Sequence, residues 1–476
     1  MINDATANSY RALGKTLRCM SARKINSPTF KNWTPQSHGL YAASERVGMG
    51  STSGFPLSVE FQTAMCNESG LDMWHNDLST VADDYRQAEA AYVAANLDPA
   101  LSVAIEYSNE IWNNGFQQYW EIALDGCRNG FAPDAVTSQD QAVPETIWSN
   151  YNPGDSNGNV PKFDYPAGTK VFFRINGYGL AVYQALSDQV AGGNPTPSDG
   201  SSDSNWQMVY DFAHVTRARY KQQAYASARC WDIWDTAFSN AGRPRTQHII
   251  GMQTTSDITL QSPALDFGVM YNGQIVPLRT ITDKIAMAPY WLGKGGNLGD
   301  YNSNPTGPHP FGQAEKNLIA TDIDAFRAAF WAAAHDGIDD VIAKAKAGKH
   351  SIARYCVAHG LDADAIQLCS YEANWHVQFC NWPANLKDLA NAEFGNLMRS
   401  PEYGSATAYY IDQLRKNLGG IHMMFDRIGD MPTTNSDHNI SSAEQNWAIQ
   451  EGEWDSATSG PTQNYRYTAF ANANAD

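Results

Sequence analysis

The sequence predicts a parallel α/β fold of the (β/α)8 TIM-barrel type. Two observations predict it. Short apolar stretches alternate with helical stretches, and several of the apolar stretches end abruptly in polar and aromatic residues. Such endings are how a parallel barrel presents chemistry, because the loops at the carboxyl ends of its strands build the site. A chain of 476 residues can be one barrel with insertions or two to three average domains, so length alone does not decide.

In chain order, residues 5 to 14 read as a short helix and Thr16 to Met20 as a short strand. Ser27 to Gly54 is rich in Ser, Pro and Gly and reads as a long loop. Leu71 to His75 is a second strand. Thr80 and Asp83 have capping-box spacing ahead of an Ala-rich helix over Val81 to Asn96, and Pro99 closes that unit. Leu101 to Ile105 is a buried strand that runs into Glu106-Tyr107-Ser108-Asn109-Glu110-Ile111-Trp112-Asn113, followed by a helix over Gly115 to Asp125. The stretch 129–205 is dense in Asp, Asn, Gly, Pro and Ser, with a strand-like island at Thr169 to Arg174. It divides the chain into a first barrel part (1–128), an insertion after the Glu110 strand (129–205) and the remaining barrel with a C-terminal tail (206–476). The insertion either walls a cleft or forms a peripheral contact surface.

Trp206 to Phe238 reads as a helix, broken at Gly242 and Pro244, and Gln247 to Gln253 as the next strand. Lys284 to Trp291 is another strand with an aromatic end, and a Gly/Asn/Pro loop runs on to Gln313. Asp322 to His359 reads as two helices broken near Gly348. Ala365 to Glu372 is again a strand ending in a carboxylate, Ser405 to Asn417 a helix, and Gly420 to Phe425 a last strand. Seven strands result where a barrel needs eight, and the first is the missing one. Either the chain begins inside a barrel, or its extreme N-terminus or an assembly partner supplies or covers that side.

Composition excludes several classes. With 33 basic against 50 acidic residues, a net charge of −17 and no Lys/Arg run, a nucleic-acid partner has no electrostatic footprint. No run of about 18 apolar residues is present, so no membrane insertion is expected. The start lacks the charged and apolar regions of an export signal, which implies use without secretion or numbering that omits a leader. Seven cysteines are scattered without a C-x-x-C pair, which indicates buried thiols rather than a zinc site or disulfide scaffold. His376 has no second histidine at ligand spacing, so neither a metal nor another cofactor is expected.

Glu110 and Glu372 each stand at a strand's carboxyl end. Cleaving a glycosidic bond with retention needs two carboxyl groups about 5 to 5.5 Å apart, and a parallel barrel can supply them from strands far apart in sequence. The run Glu106 to Glu110 resembles the Asn-Glu end of the fourth strand in clan A glycoside hydrolases, the retaining (β/α)8 enzymes. Tyr371-Glu372 resembles their seventh-strand nucleophile. The string through Asn113, together with Leu17 to Met20, Asp72 to Trp74, Arg229 to Phe238, Ala288 to Tyr290 and the tail from Trp447 to Phe470, is similar to a little-characterised bacterial group often labelled cellulose-binding proteins.

That resemblance implies roles. Glu110 becomes the general acid/base, with Asn109 hydrogen-bonding the sugar hydroxyl next to the reacting carbon. Glu372 becomes the nucleophile, Tyr290 its hydrogen-bonding neighbour, and Arg18 a cation that keeps it ionised while the partner's pKa rises. Arg18 could instead pair with Glu106, Tyr290 could simply line the core, and His75 is either a substrate contact or a packed histidine. Trp112, Trp291, Trp375 and Trp454 are candidates to stack on sugar rings or to fill the core. Two departures bear on the pocket: Ala373-Asn374-Trp375 stands where the group has two glycines, and Ser21 where it has an acidic residue. The implied partner is a polysaccharide or oligosaccharide. The competing expectation is a non-catalytic carbohydrate-binding or structural protein, at a cell surface or in a virion, on an inherited barrel.

Overall fold

The computed structural model describes residues 8, 10–11, 14–20, 25, 58–134, 136–142, 148–150, 164–175, 179–190, 201–253, 258–291, 298–299, 301, 307–375, 382–424, 468–469 and 472–473. The long loop expected at Ser27 to Gly54, and His376, Phe425 and Trp454, lie outside them, as do most of the helix at 5–14 and most of the tail.

The fold is mixed α/β. In chain order it runs β1 (Thr16–Arg18), α1 (Val59–Ser69), β2 (Asp72–Asp77), α2 (Asp83–Asn96), β3 (Val103–Tyr107), α3 (Gln117–Arg128), α4 (Phe212–Asn240), β4 (Gln247–Gly251), β5 (Lys284–Met287), α5 (Ile323–Ala358), β6 (Gln367–Trp375), α6 (Ala384–Met398), α7 (Pro401–Asn417) and β7 (His422–Met424). The seven strands pair in that order, all parallel, as one curled sheet that makes a half-barrel, and the two-residue strand Tyr290–Trp291, which follows β5, also pairs in parallel with β6. Each of the seven expected strands is therefore present.

Both faces of this sheet are covered, as parallel strands require. The outward residues, among them Met73, Val103, Ile105, Ile250, Ile285 and Leu368, join the large core shared with the helices. The inward residues Trp74, Ala104, Ile249, Ala286, Ala288, Cys369 and Tyr371 form a separate interior cluster. Period-two alternation thus sorts each strand residue to the helix layer or the interior. Cys66, Cys127, Cys230, Cys356 and Cys369 are buried, as expected of thiols in a core. No described helix is long and apolar enough to cross a membrane.

Several elements differ from expectation. Trp206–Tyr210 is a strand rather than the start of a helix. It closes a four-stranded sheet with Trp148–Asn150, Lys170–Ile175 and Gly179–Ala185, because Trp206 is fully buried in that sheet's own core with Tyr165 and Tyr183. The Asp211 side chain then caps α4 by accepting from His214 N–H. The opposite face of this inserted sheet, through Phe172, Leu180 and Val182, packs into the main core.

α5 is one helix of 36 residues. Gly348 lies on its buried face, where tertiary packing outweighs the roughly 1 kcal/mol by which glycine disfavours helix. The capping box at Thr80 is absent: Ala82 is the N-cap of α2, and Asp83 pairs with Arg86 and Arg229 instead. Helices α1 and α6 and a hairpin of Gly268–Tyr271 with Gln274–Pro277 were not anticipated. The hairpin turn is Asn272-Gly273, both at positive φ, which is a legible signal for a type I′ turn.

Candidate active site

The inward face of β1 to β3 carries a buried polar cluster. Arg18 pairs in register with Trp74, and Asn76 with Glu106. Glu106 Oε2 accepts hydrogen bonds from Arg18 Nη2 at 2.9 Å, Trp74 Nε1 at 3.0 Å and Asn76 Nδ2 at 2.7 Å. The Arg18 guanidinium lies 5.4 Å from the Trp74 ring and 5.5 Å from the Tyr371 ring, a cation flanked by aromatic faces. Glu106 fits here because β4 passes it with Gly251, where a Cβ would come within 2.8 Å of Glu106 Oε1 and 3.2 Å of the Trp112 ring.

Beyond β3 the backbone turns sharply. Ser108 and Glu110 take φ of 60° and 41°, conformations that cost a non-glycine residue about 1–3 kcal/mol. The turn is pinned by hydrogen bonds from Ser108 N–H to Asp77 O (2.9 Å), Asn113 N–H to Glu110 O (2.9 Å) and Gln118 Nε2 to Asn109 O (2.8 Å). It folds Asn109 back so that its Oδ1 accepts from Arg18 at 2.8 Å. Glu110 is half-buried; its Oε1 accepts from the Tyr371 hydroxyl at 3.0 Å and its Oε2 from Asn113 Nδ2 at 2.8 Å.

The second carboxylate comes from β6. Its register with β7 shifts between Ser370 and Ala373, a bulge of the kind that re-aims side chains beside sites, and both Tyr371 and Glu372 reach the cluster. Glu372 Oε2 accepts from the Tyr290 hydroxyl, and Oε1 faces Arg18 Nη1 at 3.5 Å. Burial pushes the Glu372 carboxyl up to about 7; Arg18 opposes the rise and the charge of Glu110 adds to it. Burial and the two carboxylates also hold the Tyr290 and Tyr371 hydroxyls well above the ordinary phenol range, so both stay protonated donors.

The cluster thus brings together Glu110, Glu372, Asn109, Arg18 and Tyr290, with the half-buried Trp112 at its edge, 5.8 Å from Tyr371. Arg18 meets both carboxylates left open by the sequence, and Glu106 at the shorter distance. Arg18 acts on Glu372 in the expected direction, favouring the ionised form, but desolvation outweighs it and the net shift is upward.

Three residues left open between substrate contact and packing are packed. His75 is fully buried on the outward face of β2, its ring 4.6 Å from Trp234 and its Nε2 3.6 Å from Glu89, because Trp74 and Asn76 take the inward positions. Trp291 and Trp375 are fully buried, 4.8 Å apart, in an aromatic core with Trp331 and Tyr403. They are packing residues and offer no face to a sugar.

Sequence reasoning missed Trp74, Asn76, Asn113 and the bond from Tyr371 to Glu110. Parity along β2 would have found the first two. Ligating atoms of His75, Asp77 and Glu89 lie within 4.8 Å of one another, the described grouping that could hold a metal ion. Arg86 already pairs with Asp77 at 2.5 Å, and His75 faces Glu89, so this cluster reads as buried polar packing behind the site. No family model, curated protein or solved structure matches the chain.

Proposed function

We propose that this chain is a retaining glycoside hydrolase of the clan A type acting on a β-linked polysaccharide. In this reading the half-barrel is completed by an eighth strand ahead of β1, which makes β3 and β6 the fourth and seventh strands, the positions at which the clan carries its two glutamates. One observation carries the reading: Glu110, just past β3, and Glu372, within β6, are far apart in sequence yet meet in one cluster where Tyr371, next to Glu372 in the chain, hydrogen-bonds Glu110.

Glu110 protonates the glycosidic oxygen while the Glu372 carboxylate attacks the anomeric carbon, so the bond to the leaving sugar breaks as an ester to Glu372 forms. Water, deprotonated by Glu110, then releases the sugar. In this reading Asn109, buried and held by Arg18, binds the neighbouring hydroxyl, and Trp112 is the remaining described tryptophan candidate for stacking. Since attack requires charged Glu372, the acid limb of the rate profile follows its carboxyl, raised by burial to about 7, while protonation of the leaving oxygen requires Glu110 to hold its proton.

A second reading, a non-catalytic carbohydrate-binding or structural protein at a cell surface or in a virion, is favoured by the burial of Trp291 and Trp375 and by the raised Glu372. A polysaccharide panel separates the two, combined with 2-deoxy-2-fluoro-β-glycosides to trap the glycosyl-enzyme and mass spectrometry of the Glu372 peptide. The expected result is turnover, a trapped adduct on Glu372, and loss of roughly 10²–10⁴-fold or more in Glu110→Gln and Glu372→Gln without unfolding. Unchanged turnover in either variant overturns the assignment, and binding without turnover or adduct supports the second reading.

A further inference from the structure

Glu106 takes no part in bond making, yet it is the most heavily hydrogen-bonded carboxylate of the cluster. It is 1% exposed, its Oε2 takes all three donors, and its Oε1 has no hydrogen-bond partner among the described residues. Arg18 gives its hydrogens to Glu106, to Asn109 Oδ1 and, through Nη1 at 3.2 Å, to the Tyr371 carbonyl. Glu372 Oε1, buried and without a hydrogen bond among the described residues, is left facing Nη1 at 3.5 Å, beyond an ordinary hydrogen bond.

We propose that Glu106 is a positioning residue that draws the Arg18 guanidinium deeper into the half-barrel and serves as its permanent counter-ion, so that Glu372 receives only part of its charge. This rests on the functional reading above. The chemistry explains why such sharing is useful. When Glu372 becomes an ester its negative charge disappears, and an arginine paired with it alone would become an uncompensated buried cation, a costly state. With Glu106 as the constant partner, Arg18 stays neutralised through both halves of the reaction. A carboxylate without a full ion pair also keeps more of its basicity and nucleophilicity.

The groups facing Glu372 are Arg18 from β1, Glu106 from β3, Glu110 from the turn after it, Tyr290 from the stretch after β5 and Tyr371 from β6 itself. The tyrosines stay neutral, so Arg18, Glu106 and Glu110 are the charges that set its ionisation. Glu106 is among the causes that push Glu372 up. Neutralising Glu106 removes one repulsion and frees the guanidinium toward Glu372, and both changes make Glu372 a stronger acid.

The test is a carbon-13 carboxyl NMR titration of glutamate-labelled protein, with the Glu372 resonance assigned by its loss in Glu372→Gln. In Glu106→Gln the Glu372 midpoint is expected to fall by about one unit or more, a tenfold change in its proton affinity. The acid limb of the hydrolysis profile should move down by the same interval. An unchanged or raised midpoint overturns the proposal. If Glu106→Gln does not fold by circular dichroism, Glu106→Asp carries the test: its shorter side chain withdraws from Arg18, and a smaller fall of the same sign is required. If the wild-type protein hydrolyses no polysaccharide and traps no adduct, the enzymatic reading fails, while the titration still decides whether Glu106 governs Arg18.

Discussion

The two carboxylates of the site are held in opposite ways. Glu110 stands past the end of β3 in a strained turn, half-buried, with each oxygen accepting one hydrogen bond from a neutral side chain. Glu372 stands within β6 and is 6% exposed, one oxygen on the Tyr290 hydroxyl and the other facing a cation that is bonded elsewhere. Backbone geometry positions the first, and burial sets the charge of the second. A turn residue can be aimed without altering the interior, whereas the ionisation of a strand residue depends on every group packed around it.

Removing the shared cation tests that contrast most severely. Arg18→Met leaves Glu106 and Glu372 buried near one another with no positive charge between them. Breaking a buried pair by deleting one partner costs about 3–5 kcal/mol, so urea unfolding should show a loss of that size. A loss below about 1 kcal/mol would mean that Arg18 does not neutralise the interior.

A second effect isolates Glu372. Its folded value of about 7 lies above the ordinary 4.5. Below about 4.5 the carboxyl is protonated in both folded and unfolded chains. Between the two values the folded chain keeps the proton that the unfolded chain gives up, so stability falls as pH rises through this window and the loss is complete above it. The burden at high pH is on the order of 3 kcal/mol. Glu372→Gln should therefore unfold at higher urea than wild type at pH 8, with the gap closing by pH 4. A gap independent of pH would contradict the role given to burial.

Much of this was legible in the sequence. All seven strands were, because short apolar stretches between helical ones run into polar and aromatic residues, and both glutamates lie at or beside such transitions. What escaped depends on contacts between distant segments. The direction of the Glu372 shift needs the desolvation supplied by its neighbours, and the packing roles of Trp291 and Trp375 need α5 and α7 against their strands. His75 is different, since counting by twos from Trp74 would have sent it outward.

The smallest effect is on the Glu110 side. Tyr371→Phe removes the hydroxyl that bonds Glu110 Oε1 but keeps the ring that packs beside Arg18 and Trp112. A hydrogen bond to a carboxylate is worth about 1.5–3 kcal/mol when lost, yet Glu110 is half-buried and water can replace the donor, so the lower end applies. The expected outcome is a fall of about tenfold in kcat/KM with urea stability within about 1.5 kcal/mol of wild type. The pH limb near 7 should stay in place, because Tyr371 is neutral and Glu372 keeps its own partner, Tyr290. If that limb moved with Tyr371→Phe as far as with Glu106→Gln, the two carboxylates would be titrating as one unit, and separate control by backbone and by burial would have to be abandoned.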